Sequence, residues 1–172
     1  IGNIESYYKC CLDALDGEMP EFCRKSENKG NQNIYTVSDP CYIPESAQIG
    51  SDAVIGPNTV LGHNCSIGKN TEIAGSITHD GVRISDGCRI EGTIICEGAV
   101  IGSRCCIGGG TVIGSGAVIP SGAYIPSNTV ITSKDGSYTV TEEKTSKRKL
   151  LHNSRNFCQR RGWTRRKNRR YV

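Results

Sequence analysis

Three histidines, ten cysteines and one dense run of arginine are the side chains of this 172-residue chain that could do chemistry. A histidine beside an acyl-thioester cleft serves as the general base of acyl transfer. His63 and His79 are the candidates. Thr78-His79-Asp80-Gly81 brings an imidazole next to a carboxylate, but sequence neighbours along a turn rarely face one cleft. His63 reads as a solvated side chain. A zinc hydratase needs three convergent histidines, and the third, His152, lies far away in the tail. The cysteines show no C-x-x-C pair; Cys10-Cys11 and Cys105-Cys106 are doublets, which is poor zinc spacing. No catalytic residue, cofactor or metal site follows from these side chains.

The arginines form a different kind of candidate. Residues 144–172 carry twelve Lys and Arg and no Asp or Glu, and the other 143 residues carry nine basic and seventeen acidic. An acidic body is therefore joined to a basic tail, although the whole chain is only +4. Arg160, Arg161, Arg165, Arg166, Arg169 and Arg170 surround Trp163, a composition suited to phosphate contacts and base stacking. Such runs also bind any polyanion, so a nucleic-acid partner is an expectation for the tail alone.

The element that must position everything else is a repeat. Ile43, Ile49, Ile55, Leu61, Ile67 and Ile73 recur every six residues, and so do Ile84, Ile90, Ile95, Ile101, Ile107, Ile113, Ile119, Ile125 and Ile131 beyond Thr78. Two steps are five residues long, Ile73 to Thr78 and Ile90 to Ile95. Neither a helix nor a plain alternating strand has this period. It marks an all-β fold, a parallel β-helix of about five coils with three sides per coil. Ile49, Ile55, Leu61, Ile67, Ile84, Ile90, Ile101, Ile107, Ile113, Ile119 and Ile125 then form the stacked core. Small residues four positions later, including Cys65, Cys88 and Cys105, turn inward where walls converge, as buried thiols. Cys88 and Cys105 should stack in adjacent coils, where a disulfide is geometrically allowed. Gly often follows the aliphatic residue, and positive φ is expected there.

Around this body the sequence predicts a helix over residues 4–15, capped by Asn3, with Ile4, Tyr8, Cys11, Leu12 and Leu15 on one face and Gly17 at its end. Residues 1–17 form the helical segment, 18–40 a linker, 41–136 the β-helix and 137–172 a basic, disordered tail. Asn33 to Val37 is a strand candidate, and Tyr138-Thr139-Val140 a further one. Aromatics are 6% of the chain, in keeping with a core of stacked aliphatics. No signal peptide opens the chain, and no stretch approaches the roughly 20 apolar residues of a membrane span. With the thiols read as reduced, the expectation is a cytoplasmic protein. An initial Ile and an amphipathic helix in need of a surface suggest a piece of a longer chain.

Two features carry a family resemblance. Ile1-Gly2-Asn3-Ile4-Glu5-Ser6-Tyr7-Tyr8 resembles the end of a sugar-nucleotide nucleotidyltransferase domain, where the chain passes into a linker helix and a left-handed β-helix. Asn33-Ile34-Tyr35, Ile67 to Asn70, Asp80-Gly81-Val82-Arg83-Ile84, Thr93 to Val100, and Ile119 to Ser133 resemble the epsilon subunit of eukaryotic translation initiation factor 2B, as do the two short steps. The resemblance covers about residues 3–136 and implies the left hand of the coils. It implies an assembly role within a guanine-nucleotide exchange factor. The partners would be gamma-like sibling subunits and the GTP-binding initiation factor. The family's Asn-Phe pair is missing, with Pro20-Glu21-Phe22 as the nearest match, and no helical exchange domain follows. The expectation is thus a scaffold segment that is not itself an enzyme. The alternatives are a hexapeptide acyltransferase or the β-helix domain of a sugar-phosphate nucleotidyltransferase.

Overall fold

A computed structural model of the chain describes residues 3–15, 35–134 and 137–142. The six-residue period becomes very short strands separated by tight corners, and these wind into a left-handed parallel β-helix of about five coils. The first wall stacks Thr36–Val37, Val54–Ile55, Glu72–Ala74, Arg89–Glu91, Cys106–Ile107 and Tyr124–Ile125. The second stacks Cys41–Tyr42, Thr59–Val60, Ile77–Thr78, Ile94–Ile95, Val112–Ile113 and Thr129–Lys134. The third stacks Gln48–Ile49, Ser66–Ile67, Arg83–Ile84, Val100–Ile101 and Val118–Ile119. Each strand sends one side chain in and its neighbour out, as a pleat must.

Like residues pair with like from coil to coil. On the third wall the column is Ile49, Ile67, Ile84, Ile101, Ile119. On the first it is Val37, Ile55, Ile73, Ile90, Ile107, Ile125. Ile55, Leu61, Ile67, Ile84, Ile90, Ile101, Ile107, Ile113, Ile119 and Ile125 are buried. Ile49 is half-buried, because its strand ends the third wall and has a neighbour on one side only. Full burial of each such side chain contributes about 1.5–3 kcal/mol.

The register explains the two short steps. Thr36 pairs with Val54, Val54 with Glu72, Glu72 with Arg89, Arg89 with Cys106, and Cys106 with Tyr124, so successive coils take 18, 18, 17, 17 and 18 residues. In ordinary corners the left-handed residue stands three places after the inward aliphatic, as at Asn58, Asn64, Asn70, Gly81, Gly87, Gly98 and Gly116. In the two short corners it stands two places after, at Gly75 and Gly92. One turn residue is dropped, and both short corners lie where the first wall meets the second.

This corrects the reading of the glycines that follow the aliphatic residue. Of these, Gly56 alone has positive φ, at 102°. Gly50, Gly62, Gly68, Gly102 and Gly108 are required by close approach. A Cβ on Gly62 would lie 2.4 Å from the His79 carbonyl carbon, and one on Gly68 would lie 2.5 Å from the Asp86 nitrogen. The left-handed corner residue is Gly or Asn nearly everywhere, since Asn tolerates that region through local hydrogen bonds. Arg104, at φ 59°, has neither advantage. Arg104→Gly relieves left-handed strain of about 1–2 kcal/mol and restores about 0.5–1 kcal/mol of unfolded-chain entropy cost. The expected outcome in a urea melt is a net gain of about 0.5 kcal/mol.

The small inward positions are more than narrow. Thr71 Oγ1 donates to the Ser85 carbonyl at 3.0 Å, and Thr111 Oγ1 to the Pro126 carbonyl at 3.1 Å. Cys88 Sγ donates to the Gly102 carbonyl at 3.0 Å. These donors satisfy corner carbonyls inside a core with no other polar partner to offer.

Ahead of the coils, the helix α1 spans Ile4–Asp13. Asn3 is its N-cap, and its Oδ1 accepts the Ser6 N–H at 2.8 Å. Gly17 and most of the linker lie outside the described residues, but strands already begin at Thr36. At the other end, Ser137–Glu142 runs antiparallel to Thr129–Lys134 and closes that edge of the second wall. The strand candidate Tyr138-Thr139-Val140 lies within this segment, which pairs in register, Ile131 with Val140 and Ser133 with Tyr138.

Candidate functional site at the helix seat

The described residues bring chemistry-bearing side chains together where α1 meets the second wall. His79 sits just past the inward Thr78, at the corner leaving that wall. Its main chain is locked between coils: its N–H donates to the Ile95 carbonyl at 2.8 Å, and its carbonyl accepts the Cys65 thiol at 3.1 Å. The imidazole turns outward to α1, where Nε2 lies 3.1 Å from the Tyr7 hydroxyl. The two rings are 5.9 Å apart at a tilt of 32°.

Tyr7 is held protonated. Burial first, then a hydrogen bond with Cys11 and the nearby Cys11, Cys96 and Cys10 thiols, raise its pKa to about 12. A protonated phenol donates to Nε2 or accepts from it according to the imidazole tautomer, and either way Nε2 is occupied while the helix is seated. Burial also pushes the Cys11 and Cys96 thiols up, which leaves them poor nucleophiles.

Tyr8 anchors the other side. Its hydroxyl donates to the Gly75 carbonyl. Gly75 is needed for its left-handed φ of 53°, and a Cβ there would crowd that hydroxyl at 3.3 Å. The two phenols thus straddle the strand Ile77–Thr78. In the register, Ile77 and Ile94 belong to the outward row of the second wall, Tyr42, Val60, Ile77, Ile94, Val112 and Val130. Yet Ile77 is 2% and Ile94 6% exposed. The matching rows on the other walls are mixed, with Glu72 and Arg89 on the first and Gln48, Ser66 and Arg83 on the third. The second wall is the apolar one.

The helix face keeps Tyr8, Cys11, Leu12 and Leu15 partly buried and departs from the expected one at Ile4 and Tyr7. Ile4 is 54% exposed, and Tyr7 contacts the wall together with Tyr8. A tyrosine's polar tip needs a partner when half-buried, and Tyr7 finds one at His79.

His63 has its own surroundings. Its Nδ1 lies 3.3 Å from the exposed Ser46 Oγ, and its N–H donates to Asp80 Oδ1 at 2.7 Å. Asp80 therefore bridges two coils through the backbone and does not orient His79. Cys41, Cys65, Cys88, Cys96 and Cys105 are not joined in disulfides. Among the described residues, no group of three His, Cys, Asp or Glu side chains converges. Among them, too, no helix is long and apolar enough to cross a membrane. His152 and the cluster Arg160, Arg161, Trp163, Arg165, Arg166, Arg169 and Arg170 lie outside the described residues.

The phenol contact makes an alkaline signature. Tyr7 has a raised pKa when α1 is seated and the ordinary value near 10 when it is released, so the seated state holds the proton more tightly. The contact is complete below pH about 10 and is lost as pH climbs toward 12. Tyrosinate absorbance should show a late-titrating step, to which Tyr8, also raised by burial, contributes, and Tyr7→Phe should reduce it.

Comparison with known proteins now bears on this arrangement. Residues 37–146, well over half of the chain, match the family model of the GMPPB C-terminal domain. No curated protein sequence matches. Among solved structures, the acetyltransferase domain of PglB from Neisseria gonorrhoeae is 21% identical, with a TM-score of 0.41 over 62% of this chain and 57% of that one. Perosamine N-acetyltransferase from Caulobacter crescentus is 12% identical, with a TM-score of 0.41 over 64% and 55%. AntD, an N-acyltransferase from Bacillus cereus, is 17% identical, with a TM-score of 0.31 over 74% and 86%. The chain spans a little over half the length of the first two, and all three likenesses bear on the fold alone. The expectation that this chain is not itself an enzyme is corrected: the model matched over residues 37–146 describes a domain of an enzyme, GMPPB. With a nucleotidyltransferase-like, hexapeptide-repeat domain matched across its coils, the chain belongs to the GMPPB C-terminal domain family.

Proposed function

We propose that this chain serves as the β-helix domain of a sugar-phosphate nucleotidyltransferase, and that its second wall is the face on which that enzyme is assembled. The observation that carries the reading is the seat of α1, with two phenols pinned on the one apolar wall. A rigid wall of this kind fixes a neighbouring domain through a helix whose contacts are directional, so orientation is set as well as attachment. The test mixes the chain with a separately produced nucleotidyltransferase catalytic domain. Nucleotidyl transfer from a nucleoside triphosphate to a hexose 1-phosphate is followed beside co-elution. Co-elution, weakened at least tenfold by Tyr7→Phe with Tyr8→Phe, is the expected result. Absence of both co-elution and any change in transfer would overturn the reading.

The environment of His79 favours a second reading, acyl transfer. Its imidazole is oriented outward from the corner with Nε2 3.1 Å from a phenol hydroxyl, a position from which a general base can act. Tyr7 blocks it, so Tyr7→Phe should speed release of free thiol from acetyl coenzyme A if the base is real. No release from either protein removes this reading.

The narrower exchange-factor reading is supported by Asp80 to Ile84, Thr93 to Val100 and the two short corners. It makes a gamma-like sibling subunit and the GTP-binding initiation factor the partners, to be sought by capture from purified components. A nucleic-acid contact by the basic tail predicts that removing residues 144–172 abolishes a salt-sensitive affinity for RNA.

A further inference from the structure

We propose that Cys88 and Cys105 form a peroxide-responsive pair that closes into a disulfide between two consecutive coils. They occupy one column of small inward positions, Ala53, Thr71, Cys88, Cys105 and Ala123, at the corner entering the first wall. The register places them side by side: Arg89 pairs with Cys106, and the Arg89 N–H donates to the Cys105 carbonyl at 2.9 Å. In-register neighbours lie about 4.8 Å apart, within the about 4.4–6.8 Å between Cα atoms that a disulfide spans. Cys65 is the contrast. Its column neighbour one coil on is Val82, so it has no thiol to join.

The surroundings divide the labour between the two sulfurs. Each thiol donates to a corner carbonyl, Cys88 Sγ to Gly102 at 3.0 Å and Cys105 Sγ to Pro120 at 3.2 Å. The neighbouring Cys88 sulfur draws Cys105 down, and the neighbouring Cys105 sulfur, then burial, raises Cys88. One sulfur is thereby the nucleophile and the other the resolving thiol.

The step balances with a hydroperoxide as oxidant. The Cys105 thiolate attacks one oxygen of hydrogen peroxide, the O–O bond breaks, and hydroxide leaves and takes up a proton as water. The sulfur is now a sulfenic acid. Cys88 attacks that sulfur, the S–O bond breaks, and a second water leaves with the Cys88 proton. Two thiols and one peroxide become one disulfide and two waters. Both residues are 1% exposed, so the reaction follows local opening of the corner and is slow.

The experiment treats the full chain with hydrogen peroxide, blocks the remaining thiols and maps the peptides. A peptide linking Cys88 to Cys105, lighter by about 2 Da, is expected, together with unfolding in denaturant slowed at least tenfold. Cys105→Ala should abolish both and still fold, because Ala53 and Ala123 fill the same column. Cys88→Ala should trap the sulfenic acid on Cys105, captured by a cyclic diketone probe. Oxidation confined to Cys10 or Cys11, an unlinked sulfinic acid on Cys105, no diketone adduct in Cys88→Ala, or an unchanged unfolding rate would each overturn the proposal.

Discussion

Ile101→Asp is expected to unfold the coils around it. Ile101 is fully buried and pairs with Ile84 below and Ile119 above. The substitution loses the burial of a large aliphatic side chain and places a carboxylate among apolar groups with no cation in reach. Each part costs several kcal/mol, and together they exceed about 4 kcal/mol. A domain of this size is stable by about 5–15 kcal/mol, and a coil can be lost without the whole. Far-ultraviolet circular dichroism in urea should show a large fall in midpoint, and proteolysis should cut near the site. Val100→Asp is the control, since Val100 is the outward neighbour on the same strand. It should cost less than about 1 kcal/mol. A slip of one residue would exchange the two results, so equal effects would refute the register.

Gly68→Ala is the second large effect, and it separates two reasons for glycine. A Cβ at Gly68 meets the Asp86 nitrogen and the Ser85 carbonyl carbon, both at 2.5 Å and both main chain. Backbone cannot rotate away as a side-chain tip can. The neighbouring coil must shift, and its hydrogen bonds, Gly68 N–H to the Ile84 carbonyl among them, lengthen. The expected cost is about 3 kcal/mol. Gly98→Ala has left-handed φ, 66°, but nothing within 4 Å of the new methyl group. It should cost only about 1 kcal/mol. Urea melts of the two variants decide the matter. A larger loss at Gly98 would mean that conformation, and not coil spacing, selects glycine in this fold.

That distinction also marks how much could be read from the residues. Ile after Ile at six-residue spacing announces a solenoid because nothing else returns a side chain to one line at that interval. The short steps at Ile73 and Ile90 were legible as irregularities. Their structural meaning, one turn residue removed at Gly75 and Gly92, was not, since left-handed φ is carried by Gly and Asn alike and leaves no unique letter. The strand Ser137–Glu142 was visible as alternation around Tyr138 and Val140. Its antiparallel direction depended on the edge it found.

The candidate site was less legible. His79 stood out as a rare residue, and Asp80 beside it suggested a pair. In the fold Asp80 turns to the His63 N–H, and His79 receives Tyr7, seventy-two residues away. A backbone donor one coil below competes well for a carboxylate, because it is fixed and otherwise lacks a partner.

What the sequence by itself determined is the coil: a period of six, an aliphatic core and small corners follow from local sterics and burial that each repeat carries within itself. What only the tertiary structure decided is everything that joins one coil to another or the helix to a wall. The choice of the second wall for α1, the meeting of Tyr7 with His79 and the neighbourhood of Cys88 and Cys105 belong to this class. These depend on stacking by 17 or 18 residues. A residue's partners there are set by the summed lengths of the steps between them, which no single repeat contains.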